Sequence, residues 1–158
     1  MRATSVREEI KQSRPFRSAS QEAVVALLRS AALLRNRFDA AVQHEGLTGQ
    51  QYNVLRILRG AGTPLPTMEI ADRLLEPAPG PTRLLDRIEA KGLVERSRCP
   101  EDRRRVLCEL TEEGRAVVDR LDATMDEFDD GCFASLADEE VRALIGALDS
   151  VRAGLRSP

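Results

Sequence analysis

Tryptophan is absent from this 158-residue chain, tyrosine occurs once and phenylalanine four times, so the core it can bury is aliphatic, a composition that suits helices. Histidine also occurs once, which leaves no His/Cys or His/carboxylate set for a metal. Three cysteines, Cys99, Cys108 and Cys132, are an odd number at unrelated spacings; this argues against a disulfide framework and for reduced thiols. No apolar run approaches the roughly 18 residues of a membrane span, and the N-terminal "MRATSVREEIKQSRPF" lacks the apolar centre of a signal peptide. A cytoplasmic location, with no membrane association, is therefore expected. Nothing resembles a phosphate-binding glycine loop, and the aspartates of "DEFDDG" lack the ligand spacing of a calcium loop. The expectation is a protein that is not an enzyme and carries no cofactor and no metal.

What is present is charge, unevenly placed. Hydrophobic residues make up 42% and charged residues 32%, and the formal net charge is only −2. From Arg83 to Arg105, however, cations outnumber anions, whereas from Asp119 to Glu140 Arg120 faces a run of acids. The acidic half would be repelled by a polyanion and must face away from it. The length suits one domain, or one compact unit with an elongated extension.

The basic half holds the most informative stretch, "PTRLLDRIEAKGLVERSRCPEDRRRVLCELT", from Pro81 to Thr111. Pro81 at a first-turn position, Leu84, Leu85 and Ile88 at helical spacing and a stop at Gly92 predict a short helix. Leu93 stands where a C-terminal cap places its hydrophobic contact. The period then changes to two: Val94 to Arg98 and Val106 to Leu110 predict a hairpin, with Val106, Cys108 and Leu110 inward and Cys99-Pro100-Glu101-Asp102 turning into Arg103-Arg104-Arg105. A helix and a finger, both basic, suit nucleic acid.

The remaining chain frames this unit. Residues 1–17 read as a flexible arm. Ser18 to Gln21 fits a capping box for a long first helix through Val24, Leu27, Leu28, Ala31, Leu34, Phe38 and Val42, ending near Gly46. Thr48 to Gln51 is a second capping box, with Leu47 and Tyr52 placed as a hydrophobic staple. Thr67 is expected to cap a short helix with Ile70, Ala71 and Leu74 inward. Together with the helix from Pro81 this is the pattern of a helix-turn-helix, and the hairpin makes it winged. Thr111 caps a further long helix, which breaks near Ala134 to Ala137 before a last one, from Asp138 to Leu155. Apolar stripes on terminal helices this long exceed what a small winged domain covers, so they are expected to pack against a second copy in a two-fold homodimer.

In order and in residues the chain resembles the multiple-antibiotic-resistance-regulator (MarR) family of winged-helix bacterial transcription factors, from about Gln21 to Leu155. The resemblance is carried by "LTGQQYNVLRIL", "TMEIADRLL", "TRLLDRIEAKGLVER" and above all "PEDRRRVLCELTEEG", with its Asp-x-Arg and Leu-Thr-x-x-Gly. It implies a mainly α fold with a small β-hairpin wing: an arm at 1–17, a dimerisation helix at 18–46, a winged helix-turn-helix at 47–110 and C-terminal dimerisation helices at 111–158. It further implies a ligand-responsive repressor binding a palindromic operator in double-stranded DNA. Arg104 takes the place of the wing-tip arginine that enters the minor groove, and Asp102 that of the acid orienting it. Thr82 and Arg83 fall at the start of the recognition helix, with Arg87, Arg103 and Arg105 as further contacts. In such relatives small aromatic or anionic effectors bind where dimer helices meet the winged domain, which here points to Arg35, Arg37 and His44. His44 reads first as a polar helix-end residue. One departure stands out: Glu76-Pro77-Ala78-Pro79-Gly80-Pro81 replaces a Ser/Thr-rich approach to the recognition helix, leaving fewer donors for base edges. Two rivals remain, a winged-helix dimer that binds a protein partner instead of DNA, and a thiol sensor using Cys99, which sits beside Arg98 and near the wing arginines.

Overall fold

A computed structural model describes residues 4–156. It comprises helices α1 (Val6–Glu9), α2 (Ala19–Val42), α3 (Gly49–Ala61), α4 (Thr67–Arg73), α5 (Pro81–Glu89), α6 (Glu112–Phe133) and α7 (Asp138–Arg156), and strands β1 (Leu65–Pro66), β2 (Val94–Arg98) and β3 (Val106–Leu110). The chain forms two compact units, one ending at Leu121 and one beginning at Asp122. Among the described residues no helix is long and apolar enough to cross a membrane.

The first unit has the winged helix-turn-helix arrangement expected. Its core gathers Val42 at the end of α2, Leu47, Tyr52, Leu55 and Leu58 around α3, Ile70 of α4, Leu85 and Ile88 of α5, and Val117, Val118 and Leu121 of α6, all nearly inaccessible. These positions recur at three and four residues within each helix, so each contributes one stripe. The entry to α3 behaves as its sequence dictates. Thr48 Oγ1 accepts from the Gln51 amide, Gln51 Oε1 accepts from the Thr48 amide, and Leu47 and Tyr52 are both buried. Asp39 of α2 accepts from the Gly49 amide at 2.6 Å, and Phe38 meets Tyr52 with ring centroids 5.9 Å apart. A side chain at Gly49 would strike the Phe38 ring, so glycine permits this close seating of α3 on α2.

Three local readings of the sequence need correction. At α2, Ser18 accepts from the Gln21 amide, but Gln21 Oε1 accepts from Arg17 rather than from Ser18, so the box is not reciprocal. At α4 the cap position is Pro66, and Thr67 is the first helical residue, its hydroxyl 3.8 Å from Cys108 Sγ. The reason is a strand the sequence reading omitted: Leu65 pairs with Cys108 and Pro66 with Leu107, making a three-stranded antiparallel sheet of order β1-β3-β2. Proline is tolerated because β1 is an edge of two residues. Third, Val106 is exposed whereas Cys108 and Leu110 are buried, because the hairpin leaves the body at that end.

α2 leaves Val24, Leu27, Leu28, Leu33 and Leu34 exposed. In the second unit α7 does the same with Leu144, Ile145, Val151 and Leu155. The arm is not wholly irregular: Ser5 and Glu8 form a reciprocal capping box for α1, and Arg29 of α2 pairs with Glu9.

Candidate nucleic-acid interface

The candidate interface is built on α5. Its N-cap is Gly80, in a left-handed conformation at φ 104° with no side chain to cap the helix, and Pro81 occupies the first turn, where a missing N–H has no consequence. Leu85 and Ile88 face the core, while Thr82, Arg83, Asp86 and Arg87 face solvent. The helix ends in a Schellman motif: the Leu93 amide donates to Ile88 and the Gly92 amide to Glu89, with Gly92 at φ 72° and both Leu93 and Ile88 buried. Lys91 reaches back from the end of α5, donating to the Gly46 carbonyl and to Gln51 Oε1.

β2 and β3 then pair in register from Val94 with Leu110 to Arg98 with Val106, and the Cys99 amide donates to Arg105 across the base of the turn. Inside that turn the Asp102 carboxylate accepts from the Arg104 backbone amide at 3.0 Å, and the Asp102 carbonyl accepts from the Arg105 amide. Asp102 therefore shapes the backbone that presents Arg104, rather than gripping its guanidinium. Arg103, Arg104 and Arg105 are all exposed. Where the wing returns, the Thr111 hydroxyl donates to the Gly92 carbonyl at 2.7 Å and accepts from the Gly114 amide at 3.0 Å, tying the end of α5 to the start of α6.

Helix and wing converge. Thr82, Arg96, Arg104 and Arg105, with Met68 of α4 and Val106, line one cleft of about 490 Å³. Arg83 and Arg87 lie on the outward side of α5. Neither pairs with Asp86 or Glu89, the neighbours that could have absorbed their charge. Both acids are held by Arg96 of β2: its Nη2 lies 2.6 Å from Asp86 and also meets Glu89, and its Nε donates to Glu89 at 2.9 Å. These hydrogen bonds hold the Glu89 carboxyl below its ordinary pKa and push the Arg96 guanidinium above its own. Among the described residues no ion pair involves Arg83, Arg87, Arg103, Arg104 or Arg105, which leaves these guanidiniums open to an external anion. Sequence reasoning did not assign Arg96 a role; the available signal was two acids three residues apart on one helical face, followed by an arginine in the next strand.

The other candidates are placed differently. Arg35 pairs with Glu76, in the proline-rich approach to α5, while Arg37 and His44 are exposed. Among the described residues no hydrogen bond or ion pair joins these three to one another. Cys99 is buried at the wing base, without the access a sensing thiol requires. Cys108 is fully buried and its thiol pKa is raised by that burial, only partly offset by Thr67. No group of three or more metal-binding side chains occurs among the described residues.

A helix-turn-helix from α4 to α5 followed by a basic hairpin wing defines a winged-helix transcriptional regulator. Comparison with known proteins agrees. A profile of the MarR family matches residues 45–105. The chain is 33% identical over 115 residues to an uncharacterized HTH-type transcriptional regulator, YwoH, of Bacillus subtilis (strain 168), spanning 73% of this chain and 82% of that one. It is 32% identical over 106 residues to the homoprotocatechuate degradative operon repressor of Escherichia coli, covering 65% and 69%. The crystal structure of a MarR transcription factor from Planctomyces limnophilus superimposes with a TM-score of 0.65 at 34% identity, over 85% of this chain and 98% of that one. This chain belongs to the MarR family, and it is a DNA-binding transcriptional regulator.

Proposed function

We propose that the protein is a ligand-responsive repressor that binds a palindromic operator as a homodimer, residing in the cytoplasm. The observation that carries this is the pairing of an outward face on α5 with an exposed wing turn, both bearing arginines that form no ion pair with a carboxylate among the described residues. In this reading α5 lies in the major groove, with Thr82, Arg83 and Arg87 towards bases and phosphates, and the wing carries Arg104 into the adjacent minor groove, flanked by Arg103 and Arg105. Residues 47–110 bind DNA; 18–46 and 111–158 supply dimer contacts, a role supported by the exposed leucines of α2 and the exposed apolar residues of α7. The arm at 1–17, whose first three residues lie outside the described ones, would be able to clasp the second subunit. The repressor reading draws on a relative whose name describes an operon repressor. A small anionic or aromatic effector would act near Arg35, Arg37 and His44, where α2 approaches the segment leading to α5.

The direct test is binding of the purified protein to the DNA flanking its own coding region, titrated at several salt concentrations. Tight binding that falls steeply with salt and exceeds binding to unrelated duplex is the expected result. Equal, weak binding to both would overturn the proposal.

A further inference from the structure

We infer that Arg96 is a positioning residue for DNA binding, whose guanidinium holds Asp86 and Glu89 so that the recognition helix and the wing keep one angle and the helix presents only cations. The inference rests on the reading of α5 and the wing as the DNA-binding surface.

The geometry comes from two periodicities that meet. Asp86 and Glu89, three residues apart, share one side of α5. Val94 and Arg96, two residues apart, share one face of β2, the face turned towards the body. At Val94 that face is buried at 2% exposure. At Arg96, where the wing begins to leave the body, an ion pair takes over from apolar packing, with the side chain still only 23% exposed. Among the described residues no ion pair ties Arg83, Arg87 or the wing-tip arginines to a partner in this way. A planar guanidinium with a fork of donors can hold two carboxylates at once, and here Nη2 serves both while Nε adds a second bond to Glu89.

The charge balance gives the arrangement its consequence for binding. Asp86 and Glu89 are the only acids of α5, facing Arg83 and Arg87 on the same helix. With Arg96 in place three cations meet two anions; without it the two pairs cancel and two bare carboxylates face an approaching phosphate backbone. Arg96 thus acts on DNA through Asp86 and Glu89 and not through a phosphate contact of its own.

That distinction can be measured with the full-length protein by fluorescence anisotropy on an operator duplex and an unrelated duplex across a salt series. Arg96→Met should weaken operator binding about tenfold, mid-range for residues sharing one ion-pair network, while costing less than about twofold when Asp86→Asn and Glu89→Gln are already present. Arg96→Lys, a point charge able to hold one carboxylate, should recover part of the loss. The salt slope should not fall by the roughly one unit that a lost phosphate contact takes away. Should Arg96→Met fail to fold, Arg96→Lys in the two backgrounds supplies the same comparison. An equal loss in both backgrounds, or a slope lower by about one unit, would overturn the inference and make Arg96 an ordinary phosphate contact. Arg104→Ala, measured alongside, separates the failures: if it too binds operator like the parent, the interface reading is wrong; if it weakens binding while the Arg96 losses are additive, only this inference falls.

Discussion

A methyl group on Gly114 would lie 2.0 Å from the carbonyl oxygen of Leu93. The oxygen cannot yield, because it accepts from the Thr111 amide at 3.2 Å and belongs to the segment that ends α5 and begins β2. Gly114→Ala should therefore destabilise the fold by about 1–3 kcal/mol, the usual cost of overpacking. Gly60→Ala, a helical site with open space around the added methyl, should stabilise by up to about 1 kcal/mol. Urea unfolding of the two variants checks both signs, and equal midpoints would show that the close approach is not real.

That contact also shows what could and could not be read from the residues. Leu110-Thr111 followed by Gly114 was legible as a pattern, and Thr111 as a cap, but nothing local says that the glycine is needed against Leu93, the residue just before β2 and some twenty positions earlier. The helices were legible because their stripes repeat at 3.6 and their ends carry Thr48, Gly92 and Pro81, signals that depend on neighbours in sequence. β1 was not, since two residues ending in proline have no periodicity; only pairing with β3 makes them a strand. The Arg96 network and the pair between Arg35 and Glu76 likewise depend on tertiary proximity. The wing arginines stood out because a run of three in a turn is visible without any fold.

Arg104→Ala should weaken operator binding by about 1–3 kcal/mol per dimer arm and reduce the preference for A·T-rich flanks, with little change in melting temperature. Arg83→Ala either removes discrimination at one position of each half-site or weakens all sequences alike with a salt slope lower by about one unit. Asp102→Ala keeps every arginine but loses the bond to the Arg104 amide, so it should weaken binding less than Arg104→Ala does. Quantitative footprinting on operator variants distinguishes these results, and parent-like behaviour of all three variants would place the interface elsewhere.

The cluster of Glu45, Arg120 and Glu113 should show in the acid limb of stability. Hydrogen bonding to Arg120, at 3.0 Å, holds the Glu45 carboxyl below its ordinary value of 4.5. A carboxyl depressed on folding contributes stability that is present above its unfolded pKa and lost as pH falls through the lower, folded one. Parent and Arg120→Met should therefore differ in thermal midpoint near neutral pH and converge as pH drops below 4.5. Added salt should shrink the neutral-pH gap, because Arg120 is about half exposed. A gap that stays constant through the acid range would show that the arginine acts by packing alone.

Exposed apolar side chains on α2 and α7 predict the assembly state. The protein should sediment as a dimer, and Leu28→Glu or Leu155→Glu, which place charge at positions 67% and 79% exposed in the single chain, should shift it towards monomer without unfolding the first unit. Sedimentation velocity over a concentration series is decisive: a monomeric parent, or a dimer indifferent to both changes, removes these helices from the interface.

The proposed effector site can be tested through the partner that Arg35 already has. Arg35 Nε lies 2.5 Å from Glu76 Oε1, and both side chains are substantially exposed, so the carboxylate of a small aromatic acid could take the place of Glu76 at little cost. Glu76 begins the proline-rich segment whose last residues open α5, so an anion that displaces it would disturb the approach to the recognition helix. Aromatic acids should then raise the melting temperature and weaken operator binding in parallel. Glu76→Gln removes the competing carboxylate and should improve the apparent affinity for such an acid by up to about fivefold, the upper worth of an exposed pair of about 0.2–1 kcal/mol. Arg35→Gln should abolish the response, with Arg37→Gln and His44→Gln giving smaller losses if those exposed side chains only add to the local field. A panel of aromatic acids that changes neither melting nor operator binding would exclude this class of effector, and a response that survives Arg35→Gln would move the site away from α2.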